Sequence, residues 1–66
     1  MARDIVSTAQ AVRTLRRIRK LLNEHMNYTR DRGEDAVPLL RVAHVVDAMI
    51  NTENRKLRSL KALAKR

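Results

Sequence analysis

The chain has 66 residues, with 15 Lys and Arg against 7 Asp and Glu, and it has no Cys. A chain of this length is at most one domain, and it buries only about 60% of the surface that its unfolded form exposes. The lack of Cys excludes disulfides and thiolate metal sites and fits a cytoplasmic protein. No apolar run approaches the roughly 20 residues of a membrane span. We therefore expect a partner subunit to supply the missing burial.

The first helix is predicted from about Asp4 to Arg30. Plotted at about 100° per residue, its apolar side chains share one face: Ile5, Ala11, Val12, Leu15, Ile18, Leu22 and Met26. Four basic residues lie on the far side: Arg13, Arg16, Arg17 and Lys20. We expect the helix to end at Gly33, because Gly takes a left-handed cap without strain and the basic Arg30 and Arg32 suit the negative end of a helix.

A short link over residues 31–35 leads into a second helix predicted over residues 36–64. Asp35 is a good N-cap, and Pro38 fits the first turn, where its missing N–H costs nothing. Apolar residues then recur at steps of three and four, which predicts a heptad seam: Leu39, Val42, Val46, Met49, Leu57, Leu60 and Ala64. The weak helix formers Asn51, Thr52 and Asn54 allow a break, but the apolar steps keep their phase, so we predict a continuous helix.

A short link forces two long helices to run antiparallel. The predicted fold is therefore all-α, a single helical-hairpin domain over residues 1–66, in which facing residues have numbers that add up to roughly 67. This geometry gathers the basic residues of both helices at the open end of the hairpin, away from the link. The second helix contributes six basic residues to this basic end: Arg55, Lys56, Arg58, Lys61, Lys65 and Arg66.

Two helices cannot cover all of these apolar side chains. Leu21, Leu40, Val45 and Leu63 lie off the main seams and would stay exposed on a monomer. We therefore expect a homodimer that forms a four-helix bundle. Its core and dimer seam would be built from Leu15, Ile18, Leu22, Val42, Val46, Met49, Leu57 and Leu60.

Two charged residues, Arg19 and Glu53, interrupt the apolar seams. We interpret them as an ion pair at the edge of the core that fixes the register of the helices. A polar contact across the dimer, or to a partner, is the alternative. Tyr28 lies close to the link, where a lone Tyr packs or caps the turn or, alternatively, anchors a partner.

Catalytic and metal-binding patterns are missing from the sequence. No Ser, His and acidic residue lie at suggestive spacing, and no Gly-rich loop could hold a phosphate. His25 and His44 are far apart and are not spaced as metal ligands. We expect neither an enzyme nor a cofactor.

In size and plan the whole chain resembles the Rop class of plasmid RNA-binding helical-hairpin dimers, which implies nucleic-acid binding. The chain has no Phe, a residue that this class uses on its RNA face. It is also similar in kind to small phage-encoded helical proteins that disable host regulators, such as quorum-sensing anti-activators. That likeness implies a protein partner.

The basic residues allow two functional hypotheses, besides a solvated surface that keeps the protein soluble. The candidates for partner or phosphate contact are Arg13, Arg16, Arg17, Lys20, Arg55 and Arg58. A net charge of +8 suits nucleic acid, but the sequence has no aromatic platform for bases and no helix-turn-helix. We favour a regulator that binds an acidic protein surface, with nucleic acid as the alternative. The lack of Trp and Phe argues against a membrane surface.

Overall fold

Two long helices make up the fold of this chain. A computed structural model describes residues 2–65, in which helix α1 spans Ala2–Asp31 and helix α2 spans Val37–Ala64. The two pack together into a rod of 53 × 14 × 11 Å. This confirms the all-α helical hairpin, and the described residues contain no strand. Arg66, which we assigned to the basic end, lies outside the described part of the chain.

Gly33 ends α1 in the predicted left-handed conformation, with φ of 73°. The N–H of Gly33 donates to the carbonyl of Arg30 at 2.9 Å, and the N–H of Glu34 donates to the carbonyl of Thr29 at 3.0 Å. These two bonds are the Schellman pattern, which satisfies carbonyls that have no partner inside the helix. The chain therefore reverses within a few residues.

Helix α2 starts one residue later than predicted and has Pro38 in its first turn, as expected. Asp35 does not occupy the cap position, which is held by Ala36, yet its carboxylate accepts a 2.9 Å bond from the N–H of Val37. The helix then continues without a break through Asn51 and Asn54. The Thr52 hydroxyl donates to the carbonyl of Ala48 at 3.0 Å, so it bonds within the helix instead of interrupting it.

Each helix packs against the other helix through one seam of residues at strict heptad spacing. Every residue of the two seams is buried or half-buried, as expected where a- and d-type positions face a partner helix. The α1 seam consists of Ile5, Thr8, Val12, Leu15, Arg19, Leu22, Met26 and Thr29. The α2 seam consists of the N-cap residue Ala36 followed by Leu39, Ala43, Val46, Ile50, Glu53, Leu57 and Leu60.

The α2 seam is rotated relative to our prediction. Ala43 and Ile50 face α1, whereas Val42 and Met49 are each 49% exposed in the single hairpin. Ala43 is fully buried, and a small residue at this position lets the two helices approach closely. Ile18 of α1 is also 40% exposed. The predicted seam therefore mixed residues that face α1 with residues of a neighbouring apolar stripe.

Candidate functional site

Arg19 connects the two helices near the middle of the rod. Its Nε donates to Oδ1 of Asp47 at 2.8 Å, and its Nη1 donates to Oδ1 of Asn23. The predicted pairing of Arg19 with Glu53 is wrong, because Arg19 pairs with Asp47. Glu53 lies six residues beyond Asp47, about 9 Å further along the helix axis, toward the open end.

The Arg19–Asp47 contact also sets the register, since the two residue numbers add up to 66. Residues of the two helices with this sum lie at the same level along the rod. Asn23 and Asp47 each come one residue after a seam residue in the sequence. Residues in this position lie on one side of the hairpin, which we call the polar face. A shallow groove on it is lined by Arg16, Asn54, Leu57, Arg58 and Lys61.

The opposite side of the hairpin consists of the residues that come one position before a seam residue in the sequence. A depression lined by Asp4, Ser7, Thr8, Lys56 and Leu60 spans both helices on that side, near the open end. Further toward the turn, the same side forms what we call the apolar face. It consists of Ala11, Thr14, Ile18, Leu21, His25 and Tyr28 of α1 and of Pro38, Val42, Val45, Met49 and Thr52 of α2.

The apolar face contains no Asp, Glu, Lys or Arg. Six of its large side chains are at least 40% exposed: Ile18, Leu21, Tyr28, Val42, Val45 and Met49. Leu21 and Val45 reach 57% and 60% exposure, and both were predicted to be left uncovered by the hairpin. Leu63, at 49%, extends this side toward the open end, and Leu40, at 43%, lies on the polar face. Exposed apolar side chains gathered on one side are typical of surfaces that bind other proteins.

Tyr28 borders the apolar face beside the turn. Its ring stacks on His25, with 6.1 Å between centroids, and the guanidinium carbon of Arg32 lies 5.3 Å from its centroid. The Arg32 Nη1 donates to the Tyr28 hydroxyl at 3.1 Å. Arg32 also pairs with Glu34 at 3.2 Å. The ring is still 55% exposed, so it is positioned by its own chain and open to a partner.

The six basic candidates are all exposed, but the structure does not bring them into one cluster. Arg16 and Arg58 line the groove on the polar face together with Lys61. Arg13 and Arg17 lie on the back of α1 beside Gln10 and Thr14. Lys20 adjoins Arg16, Arg17, Leu21 and Glu24 on that surface, and Arg55 is exposed on α2. The groove is thus the place where basic residues from both helices meet.

Asp47 is absent from the predicted site residues. It lies one position off the seam, so a search for polar residues within the apolar repeat passes over it. The predicted register did point to it: if facing residues have numbers that add up to roughly 67, Arg19 faces a residue close to position 47.

Residues 2–65 hold no grouping of three His, Asp or Glu side chains that could bind a metal ion. Neither helix of the described chain has a stretch apolar and long enough to cross a bilayer. No protein-family model, curated protein or solved structure matches this chain.

Proposed function

We propose that this chain is a small non-enzymatic regulatory protein that forms a homodimer through its apolar face and modulates an acidic partner protein through its basic end. The observation that carries the proposal is the separation of the two surfaces. One side of the hairpin lacks charged residues from Ala11 to Tyr28 and from Pro38 to Thr52, while the groove on the other side joins three basic residues from both helices.

The amount of exposed surface supports self-association. The hairpin exposes 5419 Å², against about 4,300 Å² for a compact monomer of this mass. The excess is comparable to the roughly 800 Å² that each partner buries in a standard interface. Packing two apolar faces together would cover the six exposed apolar side chains and produce a four-helix bundle.

The open half of the hairpin carries most of the charge. Residues 1–16 and 50–66 hold nine basic and two acidic residues, a net charge of +7, while residues 17–49 hold six basic and five acidic residues. A field of this kind speeds association with a surface of opposite charge. A dimer through the apolar face leaves Arg16, Arg58 and Lys61 on its outside.

An acidic protein is favoured over nucleic acid because the basic end has no aromatic side chain. Tyr28, the one aromatic residue of the sequence, lies beside the turn with His25 and Arg32. Bases therefore have no stacking platform near the groove. The resemblance to phage-encoded anti-activators suggests a host regulator as the class of partner.

Nucleic acid is the second candidate, and the groove is the observation that favours it. Its lining includes Arg16, Arg58 and Lys61 and no acidic residue. A phosphate backbone could follow such a groove by charge alone, without base readout.

Sedimentation equilibrium tests the dimer. At micromolar concentration the wild-type chain should show twice its mass of 7.7 kDa. Val45→Asp places a charge in the centre of the apolar face and should shift the protein toward the monomer. Ser59→Asp, on the same side of α2 but nearer the open end, is the matched control and should remain a dimer. A folded wild-type monomer at these concentrations would refute the dimer.

The partner is tested by removing basic residues in pairs. Arg16→Ala with Arg58→Ala removes two charges from the groove, whereas Arg30→Ala with Arg41→Ala removes two exposed charges from the turn half. The groove variant should bind its partner protein about tenfold more slowly at low salt, and the control should bind at nearly the wild-type rate. Retention from a lysate should survive nuclease treatment and should be lost in the groove variant.

Nucleic-acid binding predicts different results. The wild-type chain would then bind random duplex or RNA tightly at 0.15 M salt, and nuclease would abolish retention. The groove variant would lower the slope of log affinity against log salt by about 2 per hairpin. Under our favoured function, such binding is about 10⁻⁵ M or weaker at that salt.

A further inference from the structure

We infer that the two copies pack with their turns at opposite ends of the bundle, on a two-fold axis that passes beside Leu21 and Val45. The inference rests on the proposed dimer and adds its topology. In this arrangement, α1 of one copy lies on α1 of the other, and α2 lies on α2. The axis lies in the plane between the two apolar faces and crosses the rods at a right angle.

The two residues on the axis lie at the same level. Leu21 and Val45 add up to 66, the sum that the Arg19–Asp47 contact gives for facing residues. Both belong to the apolar face, and they are 57% and 60% exposed. A single axis can therefore place Leu21 against Leu21 of the other copy and, at the same time, Val45 against Val45 of the other copy, as an isologous interface requires.

The α1 half of the apolar face is complementary to itself about Leu21. Rotation about this axis places Tyr28 opposite Thr14 of the other copy and brings His25 within one residue of the level of Ile18. The large Tyr ring thus meets a small side chain, next to Ala11 of the other copy. Large residues opposite small ones allow two helices to interdigitate.

The α2 half has the same property about Val45. The axis places Pro38 opposite Thr52 of the other copy and brings Val42 within one residue of the level of Met49. Val42 and Met49 are each 49% exposed in the single hairpin. The apolar face lies nearer the turn than the open end, so this axis staggers the two rods and makes the two apolar faces overlap over nearly their whole length.

Charge complementarity favours this topology over the one with both turns at the same end. The rotation brings the part of α2 that carries Arg55 and Lys56 to the level of the other copy's turn, which holds Glu34 and Asp35. Glu34 also pairs with Arg32 in its own chain, and all four residues are exposed. With both turns at one end, the two open halves would instead lie side by side, each with a net charge of +7.

Disulfide cross-linking tests the topology, since the native chain has no Cys. Leu21→Cys and Val45→Cys, each alone and oxidised with glutathione disulfide, should run at twice the 7.7 kDa chain mass on a non-reducing gel. Disulfides need Cα atoms within about 7 Å. Tyr28→Cys is the matched control: its two copies would be about 21 Å apart along the rods, so it should cross-link only when mixed with Thr14→Cys.

A charge swap gives an independent readout. Lys56→Glu should weaken the dimer about tenfold, because the contact occurs twice. Adding Glu34→Lys to the same chain should restore it. Sedimentation must first give a dimer for each reduced Cys variant. Cross-linking of Leu21→Cys only with Val45→Cys, in a protein that sediments as a dimer, would overturn the topology and leave the proposed function intact. A monomer would overturn both.

Discussion

Arg19 and Asp47 are joined across the two helices by a 2.8 Å ion pair. Their side chains are 25% and 45% exposed, so solvent screens the pair and its contribution to stability is about 1 kcal/mol or less. Its larger effect is on register. Sliding α2 by one helical turn would move Asp47 about 5 Å along the rod and break the contact.

A double-mutant cycle measures this pair. Arg19→Leu and Asp47→Ala, made singly and together, should give a coupling energy of about 0.5–1 kcal/mol in urea unfolding followed by circular dichroism. The same cycle with Glu53→Ala in place of Asp47→Ala should give a coupling near zero. Coupling of Arg19 to Glu53 instead would contradict the Arg19–Asp47 pair.

Neighbouring valines on α2 should respond differently to the same substitution. Val46 is 7% exposed against α1, whereas Val45 is 60% exposed on the apolar face. Val46→Asp buries a charge without a partner and should cost several kcal/mol, about 3 or more, and abolish most of the helical signal. Val45→Asp should keep far more helicity at the same concentration. Equal losses would mean that α2 faces α1 through a different stripe.

The orientation of α2 shows what the sequence could and could not predict. Helix α2 has two parallel apolar repeats, one through Ala43 and Ile50 and the other through Val42 and Met49. Both have heptad spacing, so periodicity alone does not decide which one faces α1. Apolar size favours Val42 and Met49, yet the hairpin buries the smaller Ala43. The spacing predicted the hairpin and its register, but close packing determined the rotation of the helix.

Glu53 offers a stabilising substitution. It occupies a seam position of α2 and is half-buried among apolar neighbours of the repeat. Glu53→Leu should raise the unfolding free energy by about 1 kcal/mol, because it adds buried apolar area. Glu24→Leu, at an exposed position on α1, should change it by less than about 0.5 kcal/mol. Urea unfolding of both variants gives the comparison, and a destabilised Glu53→Leu would indicate that this carboxylate has a partner.

Gly33 is expected to tolerate few substitutions, for a backbone reason. Its φ is 73°, and an added Cβ would have no atom within 4 Å. The penalty of Gly33→Ala is therefore the left-handed conformation itself, about 1 kcal/mol. Gly33→Asn should cost less, since Asn adopts this conformation more readily. Thermal unfolding should rank the three proteins Gly, Asn, Ala; equal melting temperatures would contradict this role.

The sequence predicted the position of the turn at Gly33, but it did not predict the partner of Arg19. Gly33 is the one Gly of the chain, and its role depends on a few adjacent residues, so local chemistry was sufficient. Arg19 finds its partner 28 residues away, and that choice depends on helix rotation and on which carboxylate lies beside the seam. Basic candidates such as Arg13 and Arg58 were correctly expected to be exposed. Their distribution over separate surfaces required the three-dimensional structure.

The short turn at Gly33 also determines the order in which this hairpin should fold. Contacts near the turn close small loops, whereas the contact between Arg19 and Asp47 closes a loop of 28 residues. Thr8 and Leu60, which line one depression near the open end, are separated by a still longer stretch of sequence. Loop-closure entropy grows with that separation. We therefore expect the helices to zip together from the turn outward, with amide-exchange protection that declines toward the open end. The apolar half would then be assembled, ready to meet a second copy, while the basic half still opens and closes.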